Sequence, residues 1–330
     1  MKAAFYEAKG PAREVLRVGD VECPAPLEGE LLVRIHASGV NPSDTKRRGT
    51  FLGSAMPFSR VIPHQDGAGV VVDIGRNTSR EWIGQRVWLY MSQWQRPCGT
   101  AAEYAAVPEH RAVPLPPDTE FAEGACLGIP AMTAHRCLAF AGDLQEKNVL
   151  VSGAAGAVSI YAIQLAAKAG AVVSATVSTS EQADLARTLG ATHLINRRDG
   201  NVARTILDAT GGRGVDHVVE VAFGENLETN AEVLREGGSI ATYASDAALT
   251  PVLPFHKLMY KDAKVHFALL YLASHDALQR AANDITAVLR AGALKHVIRK
   301  RMPLEDIVRA HEAVEAGHND GKIVIDLVPG

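Results

Sequence analysis

A run of tiny residues between two apolar segments is the clearest chemical signal in the chain. Residues 149–159 read Val-Leu-Val-Ser-Gly-Ala-Ala-Gly-Ala-Val-Ser, so an apolar strand pattern leads through Gly153 and Gly156 into a helical pattern. Such turns bind phosphate, because backbone N–H groups approach the anion closely and the positive end of the helix dipole faces it. Ser159 replaces the third glycine of the dinucleotide fingerprint and is small enough for close helix–strand packing. The segment predicts a dinucleotide-phosphate site, with a ligand-free strand–helix joint as the alternative.

The strand pattern over residues 171–177 determines which dinucleotide is expected. Sites for NAD usually carry Asp or Glu at the end of this strand, where the carboxylate holds the ribose hydroxyls. Here Ser178, Thr179 and Ser180 follow the strand, and Glu181 fits the N3 acid of a helix capped at Ser178. Hydroxyl groups without a carboxylate suit a 2′-phosphate, and Arg197 or Arg198 would supply the cation. We predict NADPH in preference to NADH; the alternative is that these hydroxyls only cap the helix.

Residue types that hold a metal ion or attack a substrate covalently are not grouped in this sequence. The four cysteines, at positions 23, 98, 126 and 137, have no zinc-binding spacing, and the histidines are scattered. No Gly-x-Ser-x-Gly motif occurs. Hydride transfer needs neither group, because the cofactor carries the chemistry and the protein orients it. We therefore predict an oxidoreductase without a metal site.

Strand and helix patterns alternate around the glycine-rich turn, which predicts an α/β fold with a doubly wound parallel sheet. Strand patterns cover residues 149–152, 171–177, 193–196, 217–221 and 238–244, and helical patterns cover residues 157–169, 181–189, 203–210 and 226–234. Beyond them, the sequence predicts a strand over 267–271, a helix over 276–290 and a strand over 321–328.

Residues 1–117 differ from this middle region, because short β-type runs alternate there with Gly and Pro. That texture favours a β-rich, barrel-like domain. The C-terminal strand pattern is more like this region than like the middle. We predict a split catalytic domain over residues 1–122 and 265–330, with a cofactor domain over residues 123–264 inserted between its two parts.

Length and charge narrow the functional class. The chain has 330 residues, more than one hydrophobic core usually contains. Its formal charge of −3 gives no electrostatic footprint for nucleic acid or an anionic membrane, so neither is expected as a partner. No stretch has the length and apolarity of a membrane span, and the start lacks the pattern of a signal peptide. The sparse cysteines favour a reducing, cytoplasmic compartment.

Several motifs occur in an order that is specific to one superfamily. They are residues 39–44 (Gly-Val-Asn-Pro-Ser-Asp), 62–69 (Ile-Pro-His-Gln-Asp-Gly-Ala-Gly), 99–104 (Gly-Thr-Ala-Ala-Glu-Tyr), 127–134 (Leu-Gly-Ile-Pro-Ala-Met-Thr-Ala) and 321–323 (Gly-Lys-Ile). With the glycine-rich turn, they resemble the medium-chain dehydrogenase/reductase superfamily, and most closely its zinc-free, zeta-crystallin-like quinone oxidoreductase branch. The resemblance spans nearly the whole chain. It implies a split GroES-like catalytic domain, a Rossmann domain, an active site in the cleft between them, and a homodimer or homotetramer.

The same resemblance bears on zinc. Zinc-dependent members of the superfamily place a Cys where Asn41 stands, a His where His64 stands and a second Cys where Ile129 stands. Only His64 is retained here, and one ligand of three does not bind a catalytic zinc. His64 is then expected either to line the substrate pocket or to form a hydrogen bond within it.

The resemblance also assigns site residues. Asn41, Asp44 and His64 are expected on the substrate side. Gln182 stands where relatives often have Lys, and Lys46 stands where they often have Tyr, so the phosphate grip and the substrate pocket are expected to differ. Cofactor contacts are expected at Lys46, Thr133, Gly153, Ala155, Gly156, Ala157, Val158, Ser178, Thr179, Gln182, Arg197, Asn226, Tyr243, Ala244, Ser245, Asp246, Ala268, Leu269 and Leu270.

The activity that the resemblance implies is hydride transfer from NADPH to a quinone or an enone. Asn41 and His64 would stabilise the developing oxyanion, water or His64 would protonate it, and Asp44 would orient its neighbours. One alternative is an NADPH-dependent enoyl or haloacrylate-type alkene reductase. Another is a non-catalytic, crystallin-like protein that binds NADPH without consuming it, and a zinc alcohol dehydrogenase is a remote fourth.

Overall fold

The structure, a computed structural model, describes residues 1–51, 53, 55–317 and 320–327. Two compact units divide the chain: Met1–Ile129 with Ala282–Gly330, and Pro130–Ala281. Among the described residues, no helix combines the length and the apolar composition needed to cross a membrane.

The described residues form the following strands and helices. The strands are β1 (Lys2–Phe5), β2 (Arg17–Asp20), β3 (Glu30–Val40), β4 (Asp66–Ile74), β5 (Arg86–Leu89), β6 (Tyr104–Pro108), β7 (Ala112–Pro114), β8 (Asn148–Val151), β9 (Val172–Val177), β10 (His193–Asn196), β11 (Val215–Glu220), β12 (Leu234–Thr242), β13 (Lys264–Phe267), β14 (Ile298–Pro303) and β15 (Lys322–Asp326). The helices are α1 (Ala12–Val15), α2 (Pro42–Arg48), α3 (Phe121–Gly124), α4 (Met132–Ala139), α5 (Ala157–Lys168), α6 (Ser180–Leu189), α7 (Val202–Ala209), α8 (Phe223–Val233), α9 (Phe255–Tyr260), α10 (His275–Arg290) and α11 (Ile307–Glu315).

The first unit is built around the long strand β3. It pairs in antiparallel fashion with β4, β6 and β15, in a sheet of order β14-β15-β3-β4-β5-β7. Alternate side chains of β3, such as Leu31, Val33 and Ile35, are fully buried, as expected for a strand with one face on a core. Because β15 is hydrogen-bonded to β3, the C-terminal segment completes the N-terminal sheet. The GroES-like, split character of the fold is confirmed.

The second unit contains a six-stranded parallel sheet of order β10-β9-β8-β11-β12-β13. All six residues of β11 are buried, which is typical of a parallel strand covered on both faces. The strand order reverses direction between β8 and β11, as it does in Rossmann folds, where the ligand lies at the carboxyl ends of the strands. The predicted doubly wound sheet is confirmed.

Some local predictions were wrong. The strand predicted over 267–271 is instead β13, which ends at Phe267 and is followed by a 3-10 turn at Leu270–Leu272. The apolar run there did not mark a buried strand, because Phe267, Leu269 and Leu272 are 75%, 52% and 74% exposed. The predicted strand over 321–328 corresponds to β15, and Val328 lies outside the described residues.

The chain passes between the two units at 129/130 and at 281/282, and the domain boundaries predicted at 122/123 and 264/265 stay a prediction. Helix α3 contacts β3 and β4, so it belongs with the first unit. Strand β13 pairs with β12, which places it in the second unit. The second division falls inside α10, between Ala281 and Ala282.

Candidate functional site

The glycine-rich turn joins β8 to α5 in the second unit. Gly153 has a left-handed backbone, with φ of +64°, that a residue with a Cβ adopts only at a cost. Thr176 of β9 fixes the turn, because its hydroxyl accepts the N–H of Gly153 at 2.8 Å and its carbonyl accepts the N–H of Ala154 at 2.9 Å. Gly156 is the N-cap of α5, whose twelve residues direct a helix dipole at this position. The turn therefore has the geometry of an anion site.

The expected pyrophosphate contacts, Ala155, Gly156, Ala157 and Val158, all lie in this turn or in the first turn of α5. Ser159 is completely buried, and its hydroxyl donates to the carbonyl of Ser152 at 2.8 Å. A larger side chain at Ser159 would separate α5 from β8. This close contact explains why a serine serves where the fingerprint has glycine.

A guanidinium group and a hydroxyl group meet where β9 and β10 end. The Nε of Arg197 donates to the hydroxyl of Ser178 at 2.5 Å. The predicted helix cap at Ser178 is wrong, because Thr179 is the N-cap of α6 and its hydroxyl accepts the N–H of Gln182 at 3.3 Å. Ser178 is held instead through its own N–H, which donates to Oε1 of Gln182 at 2.8 Å. This arrangement leaves a hydroxyl and a guanidinium side by side at the strand ends, a pair that suits a phosphate.

A buried carboxylate that sequence reasoning missed organises the ends of β8 and β11. Glu220 is fully buried, and it accepts hydrogen bonds from the hydroxyl of Ser152 at 2.7 Å and the amide of Asn230 at 2.7 Å. Its other oxygen accepts the N–H of Ala222 at 2.6 Å and the amide of Asn226 at 3.0 Å. Four donors offset the desolvation of the charge. Asn226, an expected cofactor residue, thus donates a hydrogen bond to this carboxylate. The only sequence signal for this role of Glu220 is an acidic residue at the end of an apolar strand.

The remaining expected cofactor residues lie at the ends of β12 and β13, with two exceptions. The Tyr243 N–H donates to the Glu220 carbonyl at 3.2 Å, and the Ser245 hydroxyl accepts the N–H of Gly224 at 3.0 Å. The Ala268 N–H donates to the Thr242 carbonyl at 2.7 Å. The residues that follow the two strands are Tyr243, Ala244, Ser245, Asp246, Ala268, Leu269 and Leu270. The exceptions are Thr133, buried on α4, and Lys46, which lies on α2 of the first unit with its ammonium 5.2 Å from the ring centre of Phe51.

In the first unit, Asn41 belongs to a buried cluster around the carboxylate of Asp66. The Asn41 amide donates to Oδ2 of Asp66 at 2.7 Å, and the Ile129 N–H donates to Oδ1 at 2.8 Å. The ammonium of Lys322 donates to Oδ2 at 3.0 Å and also to the side-chain oxygen of Asn41. Asn41, Asp66 and Lys322 are 2%, 0% and 4% exposed, so water does not screen these interactions. Gly128 permits the approach, because a Cβ there would lie 2.2 Å from Oδ1 of Asp66.

Asp44 lies beside this cluster, at the N3 position of α2. Its Oδ2 accepts the N–H of Asn41 at 2.8 Å, whereas Oδ1 has no hydrogen-bond partner within the described part of the chain. Burial raises the pKa of Asp44 to about 7, and the negative charge of Asp66 contributes in the same direction. Asp44 therefore changes its charge near neutral pH.

His64 lies in a second set of buried hydrogen bonds, which reaches Asp66 at its backbone carbonyl and not at its carboxylate. Its Nδ1 is 2.8 Å from the hydroxyl of Ser38, and its Nε2 is 3.0 Å from Nε2 of His311. Both rings are fully buried, and desolvation lowers the pKa of His64 well below its usual value and that of His311 to about 3. Both ring nitrogens of His64 are already engaged by the protein. Of the two roles expected for His64, the structure shows internal hydrogen bonding.

The polar groups at the three positions compared with zinc ligands are all hydrogen-bonded to other protein groups. Asn41 and Ile129 both contact Asp66, whereas His64 is hydrogen-bonded to Ser38 and His311. Within the described ranges, with their gaps at 52, 54 and 318–319, no group of three His, Cys, Asp or Glu side chains has an arrangement that could hold a metal ion.

The lowered pKa values of the buried histidines predict how the free energy of unfolding depends on pH. A histidine whose folded pKa lies below its unfolded value of about 6.5 stabilises the protein above pH 6.5, and this contribution is lost as the pH falls towards the folded pKa. For His311, the change amounts to about 1.4 kcal/mol per pH unit over this window. The variant H311Q should therefore gain about 1.4 kcal/mol relative to the wild type between pH 6 and pH 5. Urea unfolding at both pH values measures this difference, and parallel pH curves for the two proteins would contradict the prediction.

Known proteins match this chain along most of its length. Residues 27–117 match the family model for the alcohol dehydrogenase GroES-like domain, and residues 189–325 match the one for zinc-binding dehydrogenase. A human quinone oxidoreductase is 32% identical over 326 residues, which cover 98% of this chain and 96% of the relative.

Two solved structures are also similar. One is an NAD-dependent alcohol dehydrogenase, with 27% identity, a TM-score of 0.91 and coverage of 99% of this chain and 100% of the other. The second is a mycobacterial protein complexed with NADPH, with 25% identity, a TM-score of 0.87 and coverage of 99% and 100%. With the split first unit, the Rossmann sheet and the human relative in agreement, the chain belongs to the medium-chain dehydrogenase/reductase superfamily, in its zinc-free quinone oxidoreductase branch.

Proposed function

We propose that this protein transfers a hydride from NADPH to a quinone or a similar conjugated carbonyl compound. The observation that carries the proposal is the pair formed by Arg197 and Ser178, at 2.5 Å, next to the glycine-rich turn. A 2′-phosphate fits this pair, whereas the carboxylate that binds the ribose of NAD has no counterpart at the end of β9. The human relative is a quinone oxidoreductase, and the mycobacterial structure holds NADPH.

The residues of the second unit fit NADPH. The N–H groups at the start of α5 would bind the pyrophosphate, and Ser178 with Arg197 would bind the 2′-phosphate. Residues after β12 and β13 would line the ribose and the nicotinamide, held in place by the Glu220 cluster. When bound, NADPH supplies the hydride, so the protein itself contributes orientation and charge.

We propose that the side-chain amide of Asn41 stabilises the negative charge that develops on the acceptor oxygen. An asparagine amide has two N–H donors, of which one binds Asp66. The ammonium of Lys322 donates to the other end of the same amide, and this polarises the amide and strengthens its remaining donor. A preorganised donor of this kind typically accounts for about 100-fold or more in rate.

The proton that completes the reduction comes, in this proposal, from water and not from His64. Both nitrogens of that ring are bound to Ser38 and His311, and the low pKa of the ring keeps it neutral. Asp44 sets the charge of the site, because ionisation adds a negative charge next to Asp66 and opposes the developing oxyanion.

The cofactor assignment predicts a specific effect of R197A. Loss of a charge-assisted contact to the 2′-phosphate should weaken NADPH binding by about 10- to 100-fold and leave NADH binding nearly unchanged. Fluorescence titration with both nucleotides measures the ratio. R187A is the matched control, because Arg187 is an exposed arginine of α6 that is paired with Asp184. Equal losses for NADPH and NADH would contradict the assignment.

The acceptor and the role of Asp44 are tested together by following NADPH oxidation between pH 5.5 and pH 9 with a panel of quinones and enones. We expect turnover of quinones, with kcat/KM falling as the pH rises through about 7. The variant D44N, which stays neutral, should lose this pH dependence. Turnover of enones alone would favour the alkene reductase, and NADPH binding without oxidation would favour the non-catalytic alternative. An unchanged pH profile in D44N would refute the role of Asp44.

We also propose a homodimer formed through the edge strand β13. Strand β13 is the last strand of its sheet, so its outer edge is a template for pairing with a second copy. Large apolar side chains are exposed along the same region, which spans residues 249–272. They are Leu249, Val252, Leu253, Phe255, Met259, Tyr260, Phe267, Leu269 and Leu272.

The dimer is tested by sedimentation velocity of F267E. A buried charge at the centre of the proposed interface should shift the protein from dimer to monomer at micromolar concentration. L27E is the control, since Leu27 is equally exposed, at 68%, but lies in the first unit. A monomeric wild type, or a dimer that survives in F267E, would rule out this interface.

We propose that the protein works in a reducing, cytoplasmic compartment, because its four cysteines are free thiols.

A further inference from the structure

We propose that Arg48 and His311 are positioning residues, which act through His64 to hold Asp66 and Asn41 in place. The inference rests on the proposed function for its kinetic consequence only. These residues form one continuous chain of buried hydrogen bonds, and the direction of each bond follows from the one before it.

The chain has five hydrogen bonds. The Nε of Arg48 is 3.4 Å from Nδ1 of His311, and the Nε2 atoms of His311 and His64 are 3.0 Å apart. On the other side, Nδ1 of His64 is 2.8 Å from the Ser38 hydroxyl, which is 2.7 Å from the Thr100 hydroxyl. The Thr100 hydroxyl donates to the backbone carbonyl of Asp66 at 2.5 Å.

An arginine fixes the direction of this chain, because a guanidinium only donates. Nδ1 of His311 must then accept, so in a neutral ring the proton is on Nε2, which donates to His64. The same argument places the proton of His64 on Nδ1, which donates to Ser38. The Ser38 hydroxyl in turn donates to Thr100, and the chain ends at the Asp66 carbonyl, which only accepts.

The surroundings keep both rings neutral. Lys322 and Arg48 are the cations that face them, and together with burial they lower the pKa values of His64 and His311. Glu315 is the acid at the far end, where it pairs with Arg48, and the Arg48 guanidinium also donates to the Gly10 carbonyl. A second proton on either ring would set two donors against each other, because neither the Arg48 guanidinium nor the protonated Nε2 of His311 can accept, so each ring carries one proton in the intact chain.

The chain supports a strained segment next to the site. His64 has a φ of +80°, a left-handed conformation that is uncommon for a residue with a Cβ. Its carbonyl accepts the N–H of Thr100 at 3.2 Å, and a Cβ on Gly99 would lie 2.2 Å from that carbonyl oxygen. The segment that leads to Asp66 is thus clamped through its backbone and through the His64 ring.

The chain of hydrogen bonds also connects both ends of α2 to Asp66. This helix has Asn41 as its N-cap and ends at Arg48. Asn41 is bound to the side chain of Asp66, and Arg48 is connected to the carbonyl of Asp66 through His311, His64, Ser38 and Thr100. Both ends of α2 are therefore fixed relative to one residue, and a break at His311 should release the helix that carries Asn41 and Asp44.

The kinetic test compares H311L, H311Q and H217L. Leucine breaks the chain, whereas a glutamine can accept from Arg48 and donate to His64. We expect kcat/KM for the acceptor to fall about 10- to 100-fold in H311L and to stay within about 3-fold of the wild type in H311Q. H217L is the matched control, because His217 is an equally buried histidine with two hydrogen bonds, to Ser239 and to the Cys137 carbonyl. NADPH affinity should be unchanged in all three.

A second readout does not depend on turnover. In wild-type protein at pH 7, ¹⁵N NMR should show His311 with its proton on Nε2 and His64 with its proton on Nδ1. The side-chain amide resonance of Asn41 should shift in H311L and not in H217L. If the wild type turns over no acceptor, the proposed function fails while this readout still decides the inference.

Three results would overturn the inference. They are the opposite tautomer at either ring, an Asn41 resonance that does not move in H311L, and a loss of kcat/KM in H217L as large as that in H311L. The last result would mean that any destabilised core lowers activity, in which case His311 would have no positioning role.

Discussion

A carboxylate that is removed from water must be surrounded by donors, and the first unit is arranged so that Asp66 receives them from distant parts of the chain. Lys322 lies on β15, Asn41 is the N-cap of α2, and the Ile129 N–H belongs to the π-helical turn Leu127–Ala131. Removal of one partner from such a buried pair usually costs about 3–5 kcal/mol, because the other charge stays behind without compensation. The polar groups of the proposed site are therefore the same groups that join the two parts of the split unit.

The second unit also contains a buried carboxylate surrounded by donors, that of Glu220. There the donors are neutral, two amides, a hydroxyl and a backbone N–H, and they lie within a local stretch of β11 and α8 except for Ser152. Ser152 directly precedes the glycine-rich turn, so the carboxylate connects this turn to the strand ends that follow. A charge held by neutral donors orders the proposed cofactor residues without placing a cation among them.

What could be predicted from the sequence was whatever depended on neighbours in the chain. The turn at Gly153 and Gly156, the alternation of strands and helices, and the meeting of Ser178 with Arg197 all follow from βαβ units, whose geometry is local and repetitive. The cap of α6 lies one residue beyond the predicted position, because Ser178 and Thr179 offer the same hydroxyl group and only the fold shows which of them accepts the Gln182 N–H. The run ending at Tyr271 has the apolar composition of a strand, but composition alone does not reveal whether a surface is covered.

The contacts around Asp66 could not be predicted in this way. Lys322 is 256 residues from Asp66, and His311 is 247 residues from His64, so no local pattern connects them. Lys322 looks like an exposed charge at the start of a strand, and His311 looks like one of several scattered histidines. Lys322 is buried because β15 pairs with β3, and His311 is buried because α11 packs against α2 and β3. Only the fold reveals either contact.

The pairing of β15 with β3 has a consequence for the order in which the protein is made. During synthesis at about 5–20 residues per second, Asp66 leaves the ribosome roughly 13–50 seconds before Lys322 does. In that interval the second unit, which is continuous in the chain, can fold while the first lacks its last central strand. In that interval the edge of β3 has no partner over Ala37–Val40 and Asp66 lacks the ammonium of Lys322, so the sheet of the first unit is completed only after β15 is made.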